Sequence, residues 1–235
     1  MINVSNLAFS YGSKMVLKDI SLQIREGNIY GLLGENGVGK TTLLTLLCGL
    51  KKPQSGSIEV DGLAPFDRQP SLLADQYFLP DEVAPVPAKA EVFARENGVF
   101  WPRFDIEKFL TVLREFEVDP AQRMDTMSAG QLKKTWISFA LACNVRHYYM
   151  DEPTNGLDIL SKSQFRRVLL EGMTEEKTII ISTHQVHDVE RLLDHVTIID
   201  RNCVLLQQPL VEETEPINLE ELFIKVTTNK RNFEP

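Results

Sequence analysis

The stretch Gly34-Glu35-Asn36-Gly37-Val38-Gly39-Lys40-Thr41-Thr42 constrains the fold more than any other part of the chain. It follows a short apolar run, residues 29–33, that reads as a buried strand. It runs into Leu43, Leu44, Leu46, Leu47 and Leu50, whose spacing predicts a helix with an apolar face. Gly34, Gly37 and Gly39 permit a tight turn that points successive N–H groups inward, and the helix start adds partial positive charge at the same place. Such a loop cradles phosphate. Lys40 is then a point charge for the terminal phosphates, and the Thr41 hydroxyl an oxygen donor for Mg²⁺. A glycine-rich turn that only joined strand to helix would not need the whole spacing pattern and both flanks. The loop is therefore read as a nucleoside-triphosphate site.

Around this loop the chain alternates strands and helices. Residues 4–11 and 16–24 read as an antiparallel hairpin, with Leu7, Phe9 and Tyr11 on one face of the first strand. Tyr11 has two readings at this point, packing in the sheet or stacking on a base, and packing is the ordinary one. Lys51-Lys52-Pro53-Gln54-Ser55-Gly56 is a stop, 57–60 another short strand, and the run beginning at Gln76 a strand that ends at Pro80. From 89 to 125 the pattern turns helical, with Ile106, Phe109, Leu110, Leu113 and Phe116 at helical spacing. A further helix, 129–143, has Ser128 in the N-cap position. Strands at 148–150, 178–182 and 196–199 alternate with helices at 161–170 and 186–193, which implies a mostly parallel sheet covered by helices. A terminal helix over 218–226 carries Asn218 and Glu221 at capping-box spacing, followed by a frayed tail.

Composition narrows the classes. With 235 residues and 43% hydrophobic content the chain can bury a core. Residues 136–145, the longest apolar candidate, fall short of the eighteen or so needed for a membrane span. Asn3, Ser5 and Asn6 interrupt any secretory pattern. A formal charge of −8 argues against broad nucleic-acid binding. Cys48, Cys143 and Cys203 are far apart and odd in number, which points to core residues in a reducing, cytosolic compartment.

Two segments in the second half bear on chemistry. Tyr148-Tyr149-Met150-Asp151-Glu152 puts carboxylates at the C-terminal end of a strand, where open α/β sheets bind ligands. Asp151 can hold Mg²⁺ opposite Thr41, and Glu152 can take a proton from a water attacking the γ-phosphate. The bland alternative is a solvated strand end. Met127-Ser128-Ala129-Gly130-Gln131 is a second helix start able to hold an anion, or an ordinary N-cap.

Taken together these segments resemble the nucleotide-binding subunits of ATP-binding cassette (ABC) transporters, over essentially residues 1–210. Residues 34–42 match the Walker A motif and 148–152 the Walker B motif with its catalytic glutamate. Ser128-Ala129-Gly130-Gln131 matches the family signature, Leu-Ser-Gly-Gly-Gln, with Met127 for Leu and Ala129 for Gly. Asn155-Gly156-Leu157-Asp158 resembles the D-loop, and Ser182-Thr183-His184 carries the switch histidine. One position departs: the family has Gln after Leu-Pro in the loop facing the permease, whereas Leu79-Pro80 is followed here by Asp81, and Gln76 lies too early. His147, His187 and His195 are read as structural.

The resemblance implies an α/β P-loop cassette with a mostly parallel core sheet, an N-terminal antiparallel β subdomain and a helical lobe inserted at about 82–145. Residues 211–235 are left as a C-terminal helix and tail. It implies ATP and Mg²⁺ as cofactors and catalysis by Glu152, His184 and Lys40. Nucleotide contacts fall to Tyr11, now placed where the family stacks an aromatic on adenine, and to Gly34, Glu35, Asn36, Gly37, Val38, Gly39, Lys40, Thr41 and Thr42. Ser128, Gly130, Gln131 and Asp158 would reach the nucleotide of a paired subunit. Thr41, Asp151 and Asp81 are the implied metal ligands. Partners would be a second cassette, as homodimer or heterodimer, and an integral-membrane permease, with export the direction and the cytoplasmic membrane face the location. A soluble ABC ATPase of translation or DNA repair would normally bring tandem cassettes or a long coiled-coil insertion, and neither is present. A GTP switch would need Asn-Lys-x-Asp, which Asn229-Lys230-Arg231-Asn232 does not supply.

Overall fold

A computed structural model of the chain describes residues 1–200, 202–210 and 218–231, the last three of these by backbone alone. The hairpin forms as expected, β1 (Ile2–Tyr11) antiparallel to β2 (Lys14–Ile24). β1 does not keep one face, however. Register shifts break the pairing between Val4 and Ser10, so Leu7 is buried while Tyr11 is 48% exposed. Bulges raise local twist and re-aim side chains, and here they turn the strand end out of the core.

β3 (Asn28–Leu33) leads through the glycine loop into α1 (Lys40–Leu47). The helix expected to have one apolar face is buried almost all round, and it stops before Leu50, which is exposed. Gly49 sets that end: its φ is +74°, and a Cβ there would lie 2.2 Å from the Pro65 carbonyl oxygen. β4 (Ser55–Val60) then returns to β1, completing a three-stranded sheet in the order β2-β1-β4.

After α2 (Pro70–Leu73) and β5 (Gln76–Leu79), the expected helical region folds as α3 (Ala90–Gly98), α4 (Ile106–Glu115) and α5 (Ala129–Ala142). Phe139 of α5 sits among the rings of Tyr77, Phe93, Trp101 and Phe104, at centroid distances of 6.0, 5.1, 5.6 and 5.3 Å. Because Tyr77 belongs to β5, the helical region shares its core with the sheet.

The rest of the chain is β6 (His147–Asp151), α6 (Ile159–Glu171), β7 (Thr178–Thr183), α7 (Val186–Val189), β8 (His195–Asp200), β9 (Cys203–Pro209) and α8 (Leu219–Arg231). The six strands order as β5-β6-β7-β3-β8-β9, parallel except for the edge strand β9. The expected 186–193 helix is shorter, passing into a 3₁₀ turn at Glu190–Leu192. Asn218 caps α8 by accepting from the Glu221 N–H at 3.2 Å. The boundary set at 210–211 and the last residues of the expected tail lie outside the described residues.

Alternation along the parallel strands divides the core. Tyr149 and Ile180 face α1 and the antiparallel sheet, whereas Tyr148, Met150, Ile179 and Ile181 face the lobe helices. Leu33 pairs with Thr183 and Asp151 with Ser182, so the ends of β3, β6 and β7 lie side by side. The loops after them meet there.

Candidate active site

Gly39 is the N-cap of α1, with φ +110° and ψ 8° and no side-chain hydrogen bond to the first turn. A Cβ at this position would lie 2.8 Å from Leu17 Cδ2 and 3.1 Å from the Val16 carbonyl oxygen, so only glycine fits. Lys40, 6% exposed, folds back along the loop and donates to the Gly34 carbonyl at 2.8 Å and the Glu35 carbonyl at 3.2 Å. Its Nζ is also 3.5 Å from Glu152 Oε1. Burial pulls the ammonium below its ordinary pKa, and Glu152 works in the opposite direction.

Asp151 and Glu152 enter from β6. The Thr41 hydroxyl donates to Asp151 Oδ2 at 2.7 Å, and the Ser182 hydroxyl donates to Asp151 Oδ1. Glu152 has φ +42°, a left-handed backbone that is rare for a residue with a side chain. The turn is held by its N–H, which donates to the Ser182 carbonyl at 3.0 Å. His184, just past β7, places Nδ1 2.8 Å from Glu152 Oε1. With the carboxylate ionised, that nitrogen is the donor and Nε2 of the neutral ring is left as acceptor.

Tyr11, Gly39, Lys40, Thr41, Asp151 and Glu152 line a cavity of about 320 Å³ together with Asn36, Gly37, Thr42 and Asp81. The Tyr11 hydroxyl is 3.4 Å from Thr42 Oγ1, and its ring meets Phe9 edge-on at 5.0 Å. Val38 instead packs against the core, and Glu35 offers its carbonyl to Lys40. Lys14 and Val16 also line the cavity, although nothing in their sequence context marks them. Gln76 is buried at the opposite end of the sheet, paired in register with His147 and donating to the Cys48 carbonyl at 2.9 Å. Asp81 is therefore the residue of that loop that reaches the cavity.

The second group of expected residues lies elsewhere. Ser128 Oγ accepts from the Gln131 N–H at 3.2 Å and Gln131 Oε1 accepts from the Ser128 N–H at 3.0 Å, a closed capping box. A Cβ on Gly130 would touch the Gly156 carbonyl oxygen at 3.6 Å. Asp158 caps α6 by accepting from the Ser161 N–H at 2.8 Å, which holds its carboxyl below the usual range. None of these four lines the cavity beside Lys40 and Thr41. The histidines read as structural have partners: His147 Nε2 lies 2.8 Å from Asp61, His195 stacks on Tyr30 at 4.7 Å, and His187 Nε2 is 2.9 Å from Glu220.

The chain matches the model of the ABC transporter family over residues 17–155. It belongs to the ABC transporter family. The cassette is 33% identical over 218 residues to the bacitracin transport ATP-binding protein BcrA of Bacillus licheniformis, covering 89% of this chain and 70% of the relative. Its fold is similar to the structure of an ATP-binding subunit of an ABC transporter, with a TM-score of 0.84 and 24% identity over 97% of this chain and 99% of the other. It is also similar in fold to the dimeric, post-hydrolysis cassette MJ0796 bound to ADP and Pi, with a TM-score of 0.79 and 22% identity over 90% and 100%. The cassette is thus an α/β ATP-binding domain with a mostly parallel core sheet and an antiparallel N-terminal sheet. Among the described residues no helix is long and apolar enough to cross a membrane.

Lys133, unmarked in the sequence reading, and Asn155, read there only as part of the Asn155–Asp158 segment, both contact Asp81. Lys133 was legible in principle, as a charge in the stripe Lys133, Ile137, Ala140 and Leu141 of α5.

Proposed function

We propose that the cassette hydrolyses ATP and works as a head-to-tail pair on a separate membrane permease, in the direction of export. The observation that carries this reading is the convergence of Lys40, Thr41, Asp151 and Glu152 on one cavity, with His184 held against Glu152 from the end of β7. Phosphoryl transfer asks for positioning and charge stabilisation more than covalent chemistry. Lys40 and the N–H groups of the glycine loop hold the phosphates. Before substrate arrives Lys40 pairs with Glu152. Terminal phosphate oxygens compete for Lys40, and Glu152 is then left as base for the attacking water, oriented by His184. Thr41 Oγ1 and the Asp151 carboxylate are hard oxygen donors already adjacent, which suits an ion held by one or two protein oxygens plus phosphate and water. Bound Mg²⁺ supplies neutralisation of phosphate charge there. Asp81 is a third candidate ligand, from the far wall. Tyr11 offers its exposed ring to the adenine.

Ser128, Gly130, Gln131 and Asp158, remote from the chain's own cavity, are assigned to the nucleotide of the partner cassette, and this accounts for a second helix start. The bacitracin transport relative and the dimeric ADP-bound neighbour support a transport role and pairing. A cassette of this kind attaches to the cytoplasmic membrane face through its permease.

Glu152→Gln tests the reading. The variant should bind ATP normally, lose steady-state hydrolysis, and accumulate as an ATP-bound dimer that co-purifies with a polytopic membrane protein from detergent extracts. Hydrolysis at the wild-type rate refutes Glu152 as base. Recovery with ribosomes or repair factors instead of a membrane protein refutes the transport role.

A further inference from the structure

Lys133 lies on α5 beyond Ser128, with its side chain only 4% exposed. An ammonium removed from water is costly unless its donors are met. One loop meets them: Nζ donates to the Pro80 carbonyl at 3.2 Å and the Asp81 carbonyl at 2.6 Å, and lies 3.8 Å from Asp81 Oδ1. Asp81 Oδ1 in turn accepts from Asn155 Nδ2 at 3.1 Å. Burial pulls the Lys133 ammonium below its ordinary pKa, while Asp81, Asp151 and Glu152 all work to keep it charged. Asp81 is also a shared wall. It lines the triphosphate cavity and a second cavity of about 410 Å³, bounded by Ala129, Lys133 and Asn155.

We propose that Lys133 is a positioning residue that ties the Asp81 segment to the helix beginning at Ser128 and so holds the Asp81 carboxylate at the wall of the triphosphate cavity. The proposal rests on the reading of the cavity as an ATP-hydrolysing site. One ammonium spans the wall of the chain's own cavity and the helix whose start is assigned to the partner's nucleotide. The negative charge that Asp81 adds beside a triphosphate is balanced by the same ammonium. Uncharged Gln at both positions should therefore serve better than Lys133→Gln alone, which leaves the Asp81 carboxylate beside the triphosphate without its cation.

The tie has a built-in reporter. Trp136 Nε1 of α5 donates to the Ala84 carbonyl at 3.1 Å, in the same loop as Asp81. In a Trp101→Phe background, Lys133→Gln should raise acrylamide quenching of Trp136 in the nucleotide-free protein by about twofold, as the loop leaves the helix. The variant should also lower kcat for ATP by about tenfold with KM nearly unchanged, because Lys133 does not line the phosphate cavity. Lys133→Arg should retain most of the turnover, and Asp81→Gln/Lys133→Gln should recover at least half of what Lys133→Gln loses. Wild-type quenching and turnover in Lys133→Gln, a rise in KM alone, or additive losses in the double variant would overturn the proposal. Where Lys133→Gln fails to fold, Asp81→Asn probes the tie from the other end, since Lys133 keeps its two carbonyl partners. If the wild type does not hydrolyse ATP, the functional reading fails, while the quenching result still decides the tie.

Discussion

Helix α1 begins at Gly39, which offers its first turn no side-chain acceptor, whereas α5 begins at Ser128, whose hydroxyl and N–H are both engaged by Gln131. The first start leaves its N–H groups to a ligand: the dipole and the open donors together favour an anion, and Lys40 stands beside them. The second is closed on itself, and opening its box costs about 1 kcal/mol, the usual worth of an N-cap. A site that binds substrate unaided is built open. On the proposed pairing, a site that meets only a partner's nucleotide gains from being closed, because a lone chain then does not hold phosphate in the wrong place.

Closing the open start should have the larger effect. Gly39→Ala forces a Cβ onto Leu17 and Val16 at a left-handed φ. Backbone strain of this kind costs of order 1–3 kcal/mol, so thermal unfolding should move down and ATP affinity fall by about a hundredfold. Isothermal binding measurements read the second directly. An affinity within threefold of wild type would mean that the loop relaxes around the methyl group.

Opening the closed start should do less to the lone chain. Ser128→Ala removes one half of the box and should cost about 1 kcal/mol of unfolding free energy. ATP affinity of the isolated chain should stay within about twofold, while steady-state hydrolysis falls more than tenfold, as for a contact made only in the assembled pair. A matching loss of affinity would place Ser128 at its own chain's nucleotide and erase the contrast.

The open start was almost wholly legible in the sequence, because Gly37, Gly39 and Lys40 act through backbone and charge at fixed spacing. The Ser128 cap was legible for the same reason, with Gln131 at the third position after it. What was hidden depends on register and long-range pairing. Gln76 was already read as too early, but only the pairing of β5 with β6 shows that it stands beside His147. Bulges in β1, invisible as composition, turn Tyr11 outward. β9 is a half-buried edge strand whose order comes from pairing with β8, with Asn202 at φ +71° in the turn as its one local sign. Lys133 and Asn155 meet Asp81 from separate elements, and no spacing rule joins them.

The contrast between the two starts is tested most directly by mixing two defective chains. Lys40→Ala disables the open start and Ser128→Arg the closed one, and each alone should be nearly inactive. In a head-to-tail pair, the mixed dimer recombines one intact α1 with one intact α5. Half the pairs are mixed and each regains one of its two sites, so hydrolysis should return to about a quarter of wild type. A mixture no more active than the mean of its two components would contradict the account.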